Sequence, residues 1–146
     1  MYKKILIPLE NSPADNTILQ HIRGLVKILN SGLVLVHVAD GYAARFQDQL
    51  NLEDSEEIKE DHRYLESRKE ELTREGFNVK THLVQGEPAD EILAISKKEN
   101  CDLIAMSTHG HRFLKDMILG SVAENIRHRT DLPVLMIRSP LVSANK

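Results

Sequence analysis

Only one cysteine occurs in the 146 residues, which excludes an internal disulfide and fits a reducing, cytoplasmic setting. Cys101 is therefore expected to pack as a small apolar residue where a helix meets a strand. Charge of one sign is not in excess either: 19 basic residues face 22 acidic ones, for a formal net charge of −3. That balance argues against nucleic acid as a principal partner and against a polybasic membrane anchor. Long apolar runs are missing. The longest are roughly five to seven residues, far short of the ~20 that a spanning helix needs, and no signal peptide is expected at the start. No Gly-x-x-x-x-Gly-Lys-Ser/Thr element occurs, which excludes a P-loop NTPase. Internal repeats and linkers are absent too.

What remains is a chain with 41% hydrophobic and 28% charged residues, long enough for one domain with a core of its own. Ile5, Leu6, Ile7, Pro8 and Leu9 form a continuous apolar run, the pattern of a strand covered on both faces, and Pro8 suits its end. Ser12 and Pro13 read as a helix start, with Ser12 as N-cap worth about 1 kcal/mol and Pro13 at the first helical position. Ile18, Ile22, Leu25, Val26 and Leu29 recur at helical spacing until Asn30, Ser31 and Gly32 end the pattern. Residues 33–38 predict a second apolar strand, with His37 as a satisfied core histidine. Residues 41–55 show no period and are expected to form a loop beside a site or a partner. From about residue 56 to residue 75 charge is dense, and Ile58, Leu65 and Leu72 predict an exposed helix with a thin buried stripe, stopped by Gly76. Residues 79–84 alternate like a less buried strand. Gly86, Glu87 and Pro88 open a helix that turns Ile92, Leu93 and Ile95 inward. Residues 103–106 form the fourth strand and residues 134–137 the fifth, with a tail at 139–146 that has little to pack with.

Strand and helix patterns thus alternate five times, which requires a parallel sheet with helices on both faces: a single-domain α/β sandwich of three layers. Ligands in such sheets sit beyond the carboxyl ends of the strands, where the winding reverses. The segments 9–12, 38–40 and 107–110 face that crevice.

The last of these leads into the most informative stretch. Ser121 and Glu124 have the spacing of a capping box, which predicts a helix that starts at Ser121 after a loop flanked by Gly110 and Gly120. Free N–H groups, a positive helix end, close backbone approach at glycine and the Ser121 hydroxyl together suit a phosphate. The competing reading is one continuous helix over 113–128, in which Gly120 costs about 1 kcal/mol. His109 and His111 bracket Gly110 as donors towards phosphate oxygens, or as solvated side chains, and Arg112 adds a charge-assisted contact or faces water. Neither histidine has the neighbours that metal ligation needs. Glu10 and Asn11 are placed to meet a base edge or serve as ordinary loop residues, and Asp40 is placed to hold a ribose hydroxyl by analogy with dinucleotide folds. No pairing of nucleophile and base is suggested, so the chain is expected to be at most a slow ATPase.

These residues give the chain a resemblance, over nearly its whole length, to the universal stress protein family. It is carried by Lys4-Ile5-Leu6-Ile7-Pro8, by Val34-Leu35-Val36-His37-Val38 and by Pro133-Val134-Leu135-Met136-Ile137-Arg138. Met106-Ser107-Thr108-His109-Gly110, nine further residues and then Gly120-Ser121-Val122-Ala123-Glu124 add to it. The nucleotide-binding branch is marked by glycine, two residues, glycine, nine residues and glycine with serine or threonine. Gly110, Gly120 and Ser121 match, and Ser107 stands at the first glycine. The resemblance implies a five-stranded parallel sheet of the adenine nucleotide alpha hydrolase-like type, spanning residues 1–138. It further implies ATP or a related adenine nucleotide, with Mg²⁺ or Mn²⁺ held by the phosphates, and a role in stress response or signalling. By position, Gly110, Gly120, Ser121 and Val122 would cradle phosphates, Met106 and Ser107 would lie near the ribose, and Pro8, Leu9, Glu10 and Val38 would frame the adenine. A homodimer through Val134, Leu135, Met136 and Ile137 is implied as well. Glu10-Asn11 departs from the aspartate usual in the first loop, and with Ser107 it motivates an alternative: an interaction module with a vestigial site.

Overall fold

A computed structural model of the chain describes residues 1–40, 56–108 and 117–139. Along them run β1 (Lys4–Pro8), α1 (Ala14–Leu29), β2 (Gly32–Asp40), α2 (Glu56–Arg74), β3 (Asn78–Gly86), α3 (Pro88–Lys98), β4 (Leu103–Thr108), α4 (Met117–Arg129) and β5 (Val134–Arg138). The strands form one parallel sheet in the order β3-β2-β1-β4-β5.

Side chains alternate across a strand, and here each face meets its own helix pair. Ile5, Ile7, Leu33, Leu35, Leu103 and Ala105 pack with Ile18, Leu19, Ile22 and Val26 of α1 and with Leu65 and Leu72 of α2. Their neighbours Leu6, Val34, Val36, Ile104 and Met106 turn the other way, onto Ala89, Ile92 and Ile95 of α3 and Val122, Ala123 and Ile126 of α4. Both faces are covered, which is why the central runs are apolar without a break. The outer strand β3 is only half-buried and mixes polar with apolar residues.

Most expected boundaries hold. Polar α2 buries Ile58, Leu65 and Leu72 along one stripe, and Gly76 follows it at φ +96°. Glu87 caps α3 by accepting the Asp90 N–H at 2.9 Å, with Pro88 in the first turn.

Two helix starts are corrected. Helix α1 begins at Ala14, so the cap position falls on Pro13, which makes no side-chain cap bond. Ser12 Oγ still accepts the Ala14 N–H at 3.3 Å. The stronger acceptor is the Asp15 carboxylate, which takes the N–H groups of Glu10 at 3.0 Å, Asn11 at 2.8 Å and Ser12 at 3.4 Å. A carboxylate binds such donors better than a hydroxyl does, and Asp15 thereby fixes the turn.

The second correction is larger. Helix α4 is already formed at Met117, so Gly120 and Ser121 lie inside it and Ser121 is not its N-cap. Glu124 accepts instead from Arg127, one turn on, at 3.0 Å. A single interior glycine costs about 1 kcal/mol, which the burial of Val122, Ala123 and Ile126 outweighs. His109, Gly110, His111 and Arg112 lie outside the described residues, as do 41–55 and 140–146. The expected tail also starts later: Ser139 is buried and donates its N–H to the Thr108 carbonyl at 2.6 Å, continuing the β4–β5 pairing.

Candidate functional site

From β1 the chain winds outward through β2 to β3, then returns past β1 to β4 and winds outward to β5. The reversal lies between β1 and β4, and a crevice opens beyond the carboxyl ends of these two strands. The paired register of β1 and β2 ends at Pro8 and Val36, with one more bond from the Leu9 N–H to the Val36 carbonyl at 2.8 Å. Strand β2 continues to Asp40 against β3 alone. In a parallel ladder alternate residues bond to each neighbour. Gly32, which donates to the Lys3 carbonyl, and Val36 serve β1, so Val38 is the next in that series. It extends past the end of β1 and turns a main-chain edge to the crevice.

The floor beside it is made by Pro8 and Leu9, both buried, and by half-buried Glu10. Ser12 Oγ donates to the Glu10 carboxylate. Beneath this turn lie two interior carboxylates. Asp15, 1% exposed, accepts the three backbone N–H groups and also the Tyr64 hydroxyl of α2. Burial, and then the Asp15 charge, push the Tyr64 hydroxyl well above its ordinary value, so it stays a donor. Arg68 lies over the Tyr64 ring at 5.3 Å and donates to both Tyr64 and Asn16.

The second carboxylate is Asp61. Its Oδ1 accepts from Asn11 Nδ2 at 3.2 Å, and its Oδ2 lies 3.1 Å from His37 Nε2. His37 Nδ1 meets the Leu9 carbonyl at 2.8 Å. His37 is thus the satisfied core histidine expected, but its partner on α2 was not anticipated. A signal for it exists: Asp61 stands three residues after Ile58 and four before Leu65, on the inner stripe of a helix whose other faces carry the charge. Asp15 stands likewise three and seven residues before the buried Ile18 and Ile22.

On the opposite wall, Ser107 is buried and its hydroxyl donates to the Ala14 carbonyl of α1 at 2.7 Å. Met106 is fully buried in the layer of α3 and α4. Both side chains are committed to packing, so what this strand end offers the crevice is main chain and half-exposed Thr108. Val122 likewise points its side chain into the core. The electrostatics are lopsided. The β1 side carries Glu10, Asp15 and Asp61, and Asp15 already holds the N–H groups of the turn that leads into α1, which leaves that turn unsuited to an anion. Among the described residues no group of His, Cys, Asp and Glu could hold a metal ion.

Residues 1–138 match the model of the universal stress protein family. The chain belongs to that family. Universal stress protein MJ0577 of Methanocaldococcus jannaschii is 33% identical, over 94% of this chain and 96% of the relative. The solved structure of hypothetical protein MJ0577 superposes with a TM-score of 0.80 at 33% identity and covers 97% of this chain and 99% of that one. Two more distant structures share the fold. A universal stress protein in complex with cAMP has a TM-score of 0.69 at 16% identity, over 95% and 98% of the two chains. A universal stress protein from Archaeoglobus fulgidus in complex with dAMP has a TM-score of 0.68 at 21% identity, over 93% and 98%. In this universal stress protein no described helix is long and apolar enough to cross a membrane.

Proposed function

We propose that this universal stress protein binds an adenine nucleotide, ATP or a close relative, in the crevice beyond β1 and β4, and serves in stress response or signalling in the cytoplasm. The observation that carries this reading is the main-chain edge of β2 at Val38, continuing past Pro8 and Leu9 beside the Glu10 turn. A peptide edge next to a carboxylate offers the donor and acceptors that the exocyclic amine and ring nitrogens of adenine require. That relatives of the same fold hold cAMP and dAMP supports the choice of base.

The phosphates are assigned to the other wall, away from Glu10, Asp15 and Asp61. Gly110, Gly120, Ser121 and Val122 are proposed to cradle them, with His109 and Arg112 as donors. Gly120 lies within α4, where the lack of a side chain lets an anion approach the helix backbone. Mg²⁺ or Mn²⁺ would be held by the phosphates, since no described carboxylate cluster supplies a ligand set. Hydrolysis would be slow at most, because among the described residues no nucleophile and base are paired for it. A homodimer through β5 fits the half-buried state of Val134, Leu135, Met136 and Ile137 on an outer strand.

The test is calorimetry with ATP and magnesium, together with mass spectrometry of whatever copurifies. Gly120→Val should abolish binding while leaving the fold intact, since valine is no worse than glycine inside a helix. No affinity in the millimolar range and no copurified nucleotide would overturn the reading and favour an interaction module instead.

A further inference from the structure

The imidazole of His37 is held between two acceptors. Nδ1 lies 2.8 Å from the Leu9 carbonyl, which can only accept, and Nε2 lies 3.1 Å from Asp61 Oδ2. A neutral imidazole carries one ring proton. If that proton sits on Nδ1, the Nε2 lone pair faces the carboxylate. If it sits on Nε2, the Nδ1 lone pair faces the carbonyl. Only the doubly protonated ring satisfies both contacts while Asp61 stays ionised. Both side chains are almost wholly buried, at 10% and 11% exposure, so water does not readily replace either partner.

Asp61 also accepts from the Asn11 side chain, and Asn11 holds the left-handed backbone conformation, φ 64°, at the centre of the turn that follows β1. We infer that His37 and Asp61 form a proton-dependent latch, which positions the Leu9–Asn11 turn against α2 and thereby sets the affinity of the crevice for its nucleotide. The inference rests on the nucleotide-binding reading above and concerns the regulation of that same site. His37 and Asp61 are positioning residues. They act through Leu9 and Asn11.

Among the described residues, the charged and titratable groups around the latch come from three elements. Helix α2 contributes Asp61 itself, with Tyr64 and Arg68 in the same polar layer. Helix α1 contributes Asp15, which is occupied by Tyr64 and the turn's N–H groups. The turn contributes Glu10, which accepts from Ser12. Among these groups the His37 imidazole is the one that can carry either one or two ring protons. Loss of its second proton sets a lone pair against a carboxylate or a carbonyl, which loosens Asp61, and Asn11 with it, from Leu9.

The experiment uses the whole chain with its histidine rings labelled with ¹⁵N. NMR titration of the nucleotide-free protein reports which ring nitrogens of His37 carry protons and at what pH the second is lost. Calorimetry with ATP and magnesium is then run about one pH unit either side of that midpoint. Wild type should show both nitrogens protonated below the midpoint and bind about tenfold more weakly above it. Asp61→Asn supplies an amide donor to a neutral Nε2 and keeps an acceptor for Asn11, so its affinity should not change across the same range. Asn11→Ala cuts the link between latch and turn, so the His37 titration should persist while the affinity no longer follows it. A His37 ring with a single proton throughout, or an Asp61→Asn variant with the wild-type pH dependence, would overturn the latch. Absence of nucleotide binding at every pH would instead bring down the nucleotide reading and the affinity control with it, whereas the ring protonation stands or falls on the NMR alone.

Discussion

Asp15 is the position where one substitution should be felt most. Its carboxylate is 1% exposed and collects the N–H groups of Glu10, Asn11 and Ser12 at 3.0, 2.8 and 3.4 Å, plus the Tyr64 hydroxyl. Asp15→Ala removes the acceptor for all four. The Ser12 contact is long and the turn is half-buried, so two backbone donors and the hydroxyl carry most of the loss. At roughly 1–2 kcal/mol for each buried donor left without a partner, the cost of these three is about 3–6 kcal/mol. That is a large share of the ~5–15 kcal/mol typical of a domain. With about 2–4 °C per kcal/mol at this size, the melting temperature should fall by roughly 6–24 °C. Asp15→Asn separates hydrogen bonding from charge. Its amide oxygen can keep the Oδ2 partners, Asn11, Ser12 and Tyr64, while its NH₂ then faces the Glu10 N–H, so the cost should be nearer about 1–3 kcal/mol. Urea unfolding monitored by circular dichroism measures both variants. A loss below about 1 kcal/mol for Asp15→Ala would refute the claim that this carboxylate organises the turn.

Three further outcomes are expected. Glu99 is buried, and hydrogen bonds from His82 at 2.7 Å and then Lys80 at 3.1 Å hold its carboxyl below the usual carboxylate range. Its contribution is therefore fully present above the unfolded-state value near 4.3 and is lost as pH falls through the folded-state value. Thermal unfolding from about pH 6 to about pH 3 should decline less steeply in Glu99→Gln than in wild type, and parallel curves would contradict this. Burial pushes the Cys101 thiol up to about 11, so at pH 8 only about one thiol in a thousand is ionised. A disulfide reagent should modify it at least ~100-fold more slowly in native protein than in urea, and equal rates would show that the thiol is not enclosed. Leu72, fully buried on α2, should cost about 2–5 kcal/mol as alanine. Arg63→Ala, at the exposed Arg63–Glu60 pair of the same helix, should stay within about 0.5 kcal/mol; similar losses at both sites would mean that the buried stripe is wider than it looks.

Helix α2 shows how far local pattern reaches. Three apolar residues at sevenfold spacing were enough to foretell an exposed helix and its buried side, because a helix repeats its faces whatever it packs on. Continuous apolar runs likewise foretold strands covered on both sides, and the alternation of elements left a parallel sheet as the arrangement able to connect them. The spacing of Gly110, Gly120 and Ser121 pointed to the family before any fold was in view.

Sequence by itself therefore determined the elements, the sheet they make and the family to which the chain belongs. Tertiary structure decided where two helices begin and which side chains meet. The capping signals at Ser12 and Ser121 are worth about 1 kcal/mol each, less than what Asp15 offers as an acceptor or what Val122, Ala123 and Ile126 gain by burial. Asp15 with Tyr64, and Asn11 with Asp61, are 49 and 50 residues apart in the chain. No local pattern encodes such a pairing. It exists because α1 and α2 are folded onto the same face of the sheet, and there buried carboxylates require donors wherever in the chain these lie.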